Sequence, residues 1–295
     1  MLHPGLPPAP SRPDRLSRQG IGRRHRPHCS PTFGARRSGE KYLVVGLDQR
    51  GCGRSRPLVS DHPETLATNT TQAQIDDLEA LREHLGVERW LVTGASWGST
   101  LALAYAQAHP ERVSEIALFA VTTTSRTEVD WITEHVGRIF PEAWDRFAAT
   151  VERHDGERVV DAYARVLRNG TRAERERAAA AWGDWETTHV SLDLAREPGP
   201  LFTDPQRLLD FATLVAHYWS NDAFLGPHGI LDRMDRLARL PAVLLHGRRD
   251  VSGPAVTAWQ VHQAWPASRL TIVEDEGHGG PTTVRLMVEA IDGFA

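Results

Sequence analysis

Residues 90–108 read WLVTGASWGSTLALAYAQA. The first four have the length and composition of a short buried strand, and residues 99–108 have the spacing of a helix. The turn between them, Gly94–Gly98, fits the pattern Gly-x-Ser-x-Gly, whose small residues permit a chain reversal too tight for bulky side chains. This order of strand, turn and helix indicates that the hydroxyl of Ser96 stands clear of a sheet, at the positive end of the helix dipole. This local structure is typical of a nucleophilic serine.

Strands and helices alternate along most of the remaining chain. Apolar runs of strand length recur at four further places: 42–47, 116–121, 242–246 and 270–273. Helical patterns recur at three: 71–85, 255–265 and 281–291. Fully apolar strands separated by helices are typical of a parallel sheet that is covered on both faces. We therefore predict an α/β fold with a mostly parallel central sheet flanked by helices.

The segment 122–232 interrupts this alternation. It has apolar residues at helical spacing and no convincing strand, so it predicts an inserted all-helical cap over the sheet. The predicted core then consists of residues 41–121 and 233–295. Residues 1–40 contain eight Arg, seven Pro and five Gly without an apolar period. That composition favours a disordered leader, with a basic arm for nucleic acid as the alternative.

Composition excludes several classes of protein. The 295 residues are 40% apolar and 24% charged, and no apolar run approaches the roughly 20 residues that a membrane-spanning helix needs. The formal net charge of −4 supplies no overall field for nucleic acid or membrane. Cys29 and Cys52 form neither a disulfide framework nor a metal-ligand spacing. We expect a cytoplasmic enzyme without a metal or other cofactor, and without a nucleic-acid or membrane partner.

A serine is a poor nucleophile unless a base and an orienting carboxylate activate it. Asp250 follows one predicted strand and His278 follows the next, so both are expected at the carboxyl edge of the sheet, as is Ser96. Asp275 and Glu276 are rival carboxylates, but they lie too close to His278 along the chain to brace its far nitrogen easily. We therefore predict a triad in which His278 takes and returns the proton of Ser96 while Asp250 holds the imidazole.

Three stretches of the chain resemble one family of enzymes. They are residues 48–55 (DQRGCGRS), 94–105 (GASWGSTLALAY) and 246–251 (HGRRDV). Together they are similar to the prolyl aminopeptidases, or proline iminopeptidases, of the α/β-hydrolase fold, and residues 42–278 follow that family's layout, helical cap included. The resemblance implies a serine peptidase that removes an N-terminal residue, typically proline, from small peptides with a free N-terminus, without a metal.

The resemblance also implies residues that bind the substrate. The family has a Glu at the end of a Trp-x-x-Trp-Glu stretch in the cap, and the sequence WGDWE ends at Glu186. An aminopeptidase must recognise a free ammonium group, and a carboxylate in a closed pocket attracts that charge. We therefore expect Glu186 to bind the amine. Val215 stands where the family has a second such Glu, and Thr122 and Ile132 replace aromatic residues of the proline pocket. These departures weaken the expectation of strict proline specificity.

One donor of the oxyanion hole is implied at the backbone amide of Trp97. In the family the second donor belongs to a His-Gly-Gly-Pro-Gly loop, which has no counterpart in residues 1–41. Loss of one such donor typically costs about 2.7–4 kcal/mol of transition-state stabilisation. Three functions therefore stay open: a serine aminopeptidase, a general serine esterase or amidase on the same fold, and a catalytically impaired protein of that fold that acts as a binding module.

Overall fold

A four-stranded parallel sheet lies at the centre of the part of the chain that the structure describes. The structure is a computed structural model, and it describes residues 42–190, Leu192 and residues 202–295. The strands lie side by side in chain order, and each neighbouring pair is parallel. They are β1 (Trp90–Ser96), β2 (Val113–Val121), β3 (Ala242–Gly247) and β4 (Ser268–Val273). The strands predicted at these four places are confirmed, and the predicted leader, residues 1–40, lies outside the described residues.

Nine α-helices accompany the sheet within the described residues. Four are close in sequence to the strands: α1 (Thr71–His84), α2 (Trp97–Ala108), α8 (Val256–Gln263) and α9 (Pro281–Asp292). Five lie between β2 and β3: α3 (Arg126–Asp130), α4 (Pro141–Ala149), α5 (Val159–Asn169), α6 (Arg172–His189) and α7 (Pro205–Ser220). A π-helical turn (Trp131–His135) and short 3₁₀ segments lie in the connections. None of the described helices is both long enough and apolar enough to cross a membrane.

Helices cover both faces of the sheet. Successive side chains of a strand point to opposite faces, and β2 shows the consequence. Ile116 and Leu118 belong to a buried core with side chains of α1, α2 and α8, while Ala117 and Phe119 belong to a second core with side chains of α9. A strand that is buried on both faces has no polar alternation, which explains the continuous apolar run in the sequence.

The helices between β2 and β3 have an aromatic core of their own. Phe147 stacks on Tyr163 and on Trp185, with ring centroids 4.6 and 5.3 Å apart. The ring of Trp182 meets those of Phe147 and Tyr163 edge to face. All four side chains are buried, and each such ring pair adds about 0.5–1.5 kcal/mol to the free energy gained by burial. Val251, in the loop after β3, packs in the same cluster, so these helices rest directly on that loop.

The strand predicted over residues 42–47 is wrong. This segment forms no strand, and the side chains of Leu43 and Val45 are 59% and 40% exposed. An apolar run becomes a strand only when a neighbour supplies hydrogen-bond partners for its backbone, and no described residue pairs with this segment in a ladder. Tyr42 anchors it instead, since its ring packs against the α9 side of the sheet and its hydroxyl donates to the backbone carbonyl of Ile291 at 2.9 Å.

Candidate active site

The turn between β1 and α2 holds Ser96 in a strained conformation. Ser96 has φ 53° and ψ −127°, a combination that costs a residue with a side chain about 1–3 kcal/mol. The register of β1 against β2 shifts between Ala95 and Ser96. A Cβ on Gly94 would overlap the carbonyl oxygen of Gly98, so this close approach of strand and helix requires glycine. The hydroxyl of Ser99 donates to the backbone carbonyl of Ser96 at 2.7 Å and stabilises the turn.

Asp250 and His278 are in contact at the carboxyl edge of the sheet. Asp250 follows β3 and His278 follows β4, and Nδ1 of His278 lies 2.8 Å from Oδ2 of Asp250. The carboxylate is fully buried, and its Oδ1 accepts the backbone N–H of Gly253 at 3.0 Å. Because a carboxylate only accepts, Nδ1 of the neutral imidazole carries the proton and Nε2 carries the basic lone pair. The imidazole is 25% exposed, so a substrate can reach it.

Glu276, one of the rival carboxylates, has a different task. Its buried carboxylate accepts the N–H of Thr282 at 2.5 Å and the N–H and hydroxyl of Thr283 at 2.9 and 2.6 Å, and it thereby caps the N-terminus of α9. Burial raises the pKa of Glu276, but the hydrogen bonds from the two threonines outweigh it and hold that pKa below its ordinary value. Asp275 is exposed. Of the three carboxylates, Asp250 is the one that the structure brings to His278 at hydrogen-bond distance.

We expect Glu276→Gln to lower the free energy of unfolding by about 1–3 kcal/mol at neutral pH. The carboxylate accepts hydrogen bonds from α9 with both oxygens, whereas the glutamine would place an NH₂ group against one of these donors. Since the folded pKa of Glu276 is depressed, the carboxylate contributes stability above its ordinary pKa and loses that contribution as the pH falls through the folded pKa. Urea titrations should therefore show the difference between parent and variant shrinking below about pH 4. A difference that stays constant down to acid pH would contradict this cap.

The segments that follow the strands meet along one edge of the sheet. Ser96 pairs with Val121, the last residue of β2. Gly279, next to His278, lies so close to Phe119 of β2 that an added Cβ would be 3.2 Å from the ring. Open parallel sheets bind their ligands at this carboxyl edge. The serine on β1 and the imidazole after β4 therefore face the same region.

Trp97 is held from two sides. It is the first residue of α2, so its backbone N–H is one of the first four of the helix, which have no partner within that helix. Its indole N–H donates to the side-chain oxygen of Gln49 at 3.0 Å, and its ring packs on Tyr218 with centroids 4.6 Å apart. Arg50, beside Gln49, forms a bidentate pair with Asp77 at 2.7 and 2.8 Å. Sequence reasoning missed Gln49 and Tyr218, and the only available signal was the family resemblance of the loop that contains Gln49.

Glu186 lies on α6, close to the loop that carries Asp250. Its Oε1 accepts the indole N–H of Trp182 at 3.1 Å, and its Oε2 lies 3.7 Å from Nε2 of His189. The other ring nitrogen of His189 is 3.0 Å from the hydroxyl of Ser252, two residues after Asp250. The side chain of Glu186 is 15% exposed. A partly desolvated carboxylate on a helix thus lies beside His189, whose ring contacts the loop of Asp250 at Ser252.

The helices between β2 and β3 hold that loop at two further points. The indole N–H of Trp131 donates to the backbone carbonyl of Val251 at 2.7 Å. The backbone N–H of Leu192 donates to the carbonyl of Arg249 at 3.1 Å. The Asp250 loop is therefore also held by the π-helical turn and by the segment that follows α6. In the described part of the chain, no group of three or more histidine, cysteine or acidic side chains is arranged to hold a metal ion.

Comparison with known proteins adds to these observations. The family model of the α/β-hydrolase fold matches residues 27–281. A probable proline iminopeptidase of Streptomyces coelicolor is 43% identical over 263 residues, which cover 86% of this chain and 80% of that protein. A proline iminopeptidase of Xylella fastidiosa is 40% identical over 262 residues, which cover 86% and 81%. The chain belongs to the proline iminopeptidase family. The family that the three motifs predicted is therefore confirmed.

A solved structure agrees with this family assignment at the level of the fold. A thermophilic esterase from Thermogutta terrifontis matches with a TM-score of 0.50 over 88% of this chain and 79% of the esterase, at 18% sequence identity. At that identity the match shows the fold alone. The predicted α/β-hydrolase fold, with its parallel sheet flanked by helices, is confirmed.

The structure describes the surroundings of the three positions that the sequence predicts to depart from the family pattern. Thr122 directly follows β2, and its hydroxyl donates to Glu128 at 2.7 Å while its carbonyl accepts the hydroxyl of Thr100 at 2.9 Å. Ile132 is buried in the π-helical turn. Val215, on α7, packs against the aromatic core of the helices. None of the three supplies a second carboxylate for an amine or an aromatic wall for proline.

Proposed function

We propose that this member of the proline iminopeptidase family is a serine aminopeptidase that releases an N-terminal residue, proline by preference, from small peptides with a free N-terminus. The two relatives at 43% and 40% identity support this class of reaction over a general esterase or a silent binding module. The observation that carries the proposal is the 2.8 Å contact between His278 and the buried Asp250, at the sheet edge where Ser96 has a positive φ.

The proposed reaction has two halves, acylation of Ser96 and hydrolysis of the acyl-enzyme, and His278 accepts and returns one proton in each. Nε2 of His278 accepts the hydroxyl proton of Ser96 as the oxygen attacks the carbonyl carbon of the N-terminal residue, and the N–H of Trp97 donates to the oxyanion. The imidazolium gives that proton to the leaving nitrogen, and the shortened peptide departs from the acyl-enzyme. A water molecule, deprotonated by His278, then hydrolyses the ester and restores Ser96. Asp250 holds the Nδ1–H and stabilises the imidazolium in both halves.

Glu186 is the proposed partner of the substrate's ammonium group. In an N-terminal residue the ammonium lies only two bonds from the carbonyl carbon, so its partner must lie near the triad. Glu186 lies beside His189, whose ring contacts Ser252 in the Asp250 loop, and its low exposure strengthens its attraction for a cation. The indole N–H of Trp182 fixes one carboxylate oxygen, so the group is oriented before the substrate arrives.

We expect Glu186→Gln to raise KM for a prolyl anilide by about 10–100-fold, because the amide keeps the shape and can still accept from Trp182 but loses the charge-assisted bond to the ammonium. Hydrolysis of a simple aryl ester, which carries no ammonium, should change by less than about threefold. Asp184→Asn is the matched control, since it removes an exposed carboxylate from the same helix. Equal losses on anilide and ester would argue against the role of Glu186.

The proposed function is tested with three substrates on the purified chain: a prolyl anilide, its N-blocked form and an aryl ester. An aminopeptidase should cleave the free anilide and fail on the blocked one, because the carboxylate has no cation to bind. Cleavage of the ester alone would overturn the aminopeptidase assignment. An alanyl anilide measures how far the absence of a second carboxylate at Val215 and of aromatic side chains at Thr122 and Ile132 relaxes the preference for proline.

We also propose the organisation that this function requires. The core comprises residues 41–121 and 233–295, and the helical cap comprises residues 122–232, which hold the Asp250 loop through Trp131. Cys52 is a buried thiol that donates to the backbone carbonyl of Gln49 at 3.4 Å, which suits a reducing compartment such as the cytoplasm.

A further inference from the structure

His246, the fifth residue of β3, is a fully buried histidine with both ring nitrogens engaged. Nδ1 lies 3.1 Å from the backbone N–H of Val121, and Nε2 lies 2.6 Å from the backbone carbonyl of Gly253. Because an N–H only donates and a carbonyl only accepts, Nε2 carries the proton and Nδ1 accepts. Both bonds are made by one tautomer of the neutral ring. Burial lowers the pKa of His246, which favours that neutral form.

The two bonds of His246 form a bridge between Val121 and Gly253. The Val121 end of this bridge lies beside β1, the strand that carries Ser96. The ladder between β2 and β3 ends at Phe119. Ala120 has φ 45° and turns β2 out of the ladder, so the N–H of Val121 cannot continue the pairing with the backbone of β3. The imidazole of His246 accepts that N–H instead. Val121 is also the ladder partner of Ser96, so the bridge begins at the bulge that holds the nucleophile.

The Gly253 end of the bridge lies in the loop that follows β3 and carries Asp250. The carbonyl of Gly253 accepts the Nε2–H of His246, and the N–H of the same residue donates to Oδ1 of Asp250 at 3.0 Å. Oδ2 of Asp250 accepts from His278 at 2.8 Å. The orientation of the carboxylate therefore depends on the position of Gly253, and His246 fixes that position relative to β2.

We propose that His246 is a positioning residue of the triad, which fixes the Asp250 loop against the bulge that holds Ser96. The proposal rests on the proposed serine-hydrolase function and concerns the same site. His246 acts through Val121 and Gly253, and its neutral tautomer matches one donor and one acceptor that the two backbones present. A side chain that lacks a donor or an acceptor cannot make both bonds.

The charges around His246 define how the bridge responds to acid. Asp250, with Oδ2 at 3.8 Å from Nε2, and Glu128 favour the protonated ring, while His278 opposes it, and burial outweighs the carboxylates to keep the pKa low. Protonation would place a hydrogen on Nδ1, so that two N–H donors would face each other and the bond from Val121 would be lost. The bridge therefore contributes stability above the ordinary pKa of histidine, and this contribution is lost as the pH falls through the folded pKa.

The test compares His246→Leu and His246→Gln with the parent chain. Leu removes both bonds, whereas Gln keeps a donor for Gly253. We expect Leu to lower kcat for a prolyl anilide by about 10–100-fold with KM changed less than about threefold, since a displacement near 1 Å at a catalytic group costs about that much. The acid limb of the pH–rate profile should move down by about one pH unit, because a displaced Asp250 stabilises the imidazolium less. The kcat of His246→Gln should be about tenfold higher than that of His246→Leu.

His262→Leu is the matched control. Its Nδ1 lies 2.8 Å from the hydroxyl of Ser268, where β4 begins, at the opposite edge of the sheet. This variant also loses an internal histidine bond, but its kcat and acid limb should stay those of the parent. Loss of kcat in His246→Leu that only follows the folded fraction, with an unmoved acid limb, would overturn the positioning role.

A measurement that needs no turnover separates this proposal from the proposed function. In the parent, the Nδ1 proton of His278 should give a low-field proton resonance from its bond to Asp250, and in His246→Leu that resonance should move upfield or exchange faster with water. An unchanged resonance overturns the role of His246 whatever the activity. Failure of the parent chain to cleave any prolyl anilide, with the resonance still altered by His246→Leu, overturns the aminopeptidase function and supports the positioning role.

Discussion

Ser96→Ala is expected to lower kcat for a prolyl anilide by about 10⁶-fold and to leave the fold intact. Without the hydroxyl no acyl-enzyme forms, and the amide of Trp97 and the binding contacts alone support only a small residual rate. The turn survives, because it is stabilised by the backbone carbonyl of Ser96, which accepts from Ser99, and by the close contact at Gly94. Turnover of the anilide and circular dichroism of the same sample provide the two measurements.

A fluorophosphonate probe gives the control for this loss. It should label the parent on a peptide that contains Ser96 and should not label Ser96→Ala, and labelling of the variant at the parental rate would show that another residue is the nucleophile. Ser96→Gly tests the strain argument in parallel. Both variants should be inactive, but glycine adopts φ 53° without a Cβ clash, so the Gly variant should be about 1 kcal/mol more stable than the Ala variant.

The sequence predicted the central sheet well because its strands are buried on both faces. Continuous apolar runs such as residues 116–121 identify such strands without knowledge of their neighbours. The segment 42–47 has the same composition and no strand, because pairing depends on a partner that local sequence does not specify. The sequence also predicts that β1 ends at Thr93, whereas the strand extends to Ser96. Gly94 and Ala95 resemble turn residues, yet the ladder with β2 continues through them to the bulge at Ser96.

The sequence likewise predicts one part of the candidate site and not the other. Chain order and strand ends were sufficient to predict that Asp250 and His278 come together, because the ends of parallel strands share one edge. The sequence identifies His246 only as the end of an apolar strand and the start of one family motif, and Gln49 only as part of another motif. Their bonds join segments over a hundred residues apart, Val121 to His246, or nearly fifty apart, Gln49 to Trp97. Such bonds depend on how the fold brings two distant segments together, which no spacing in the sequence records.

Asp250→Asn is expected to lower kcat by about 10⁴-fold with a smaller effect on KM. The carboxylate accepts from Gly253 with one oxygen and from His278 with the other, whereas an asparagine has a single oxygen for these two donors. If that oxygen keeps the bond to Gly253, the amide N–H faces Nδ1 of His278 and favours the tautomer protonated at Nε2. The base then presents a proton to Ser96 instead of a lone pair. Initial rates on the prolyl anilide measure this loss, and a kcat within about tenfold of the parent would contradict it.

Asp275→Asn provides the matched comparison for this last prediction. Asp275 is an exposed acidic residue three positions before His278, and the same substitution there removes the same charge from the same neighbourhood. If Asp250 acts through its hydrogen bond to Nδ1, Asp275→Asn should keep kcat within about twofold, because an exposed charge is screened by water. If the two variants lose activity equally, the effect is one of net charge near the imidazole, and the 2.8 Å contact between Asp250 and His278 is not what orients the base.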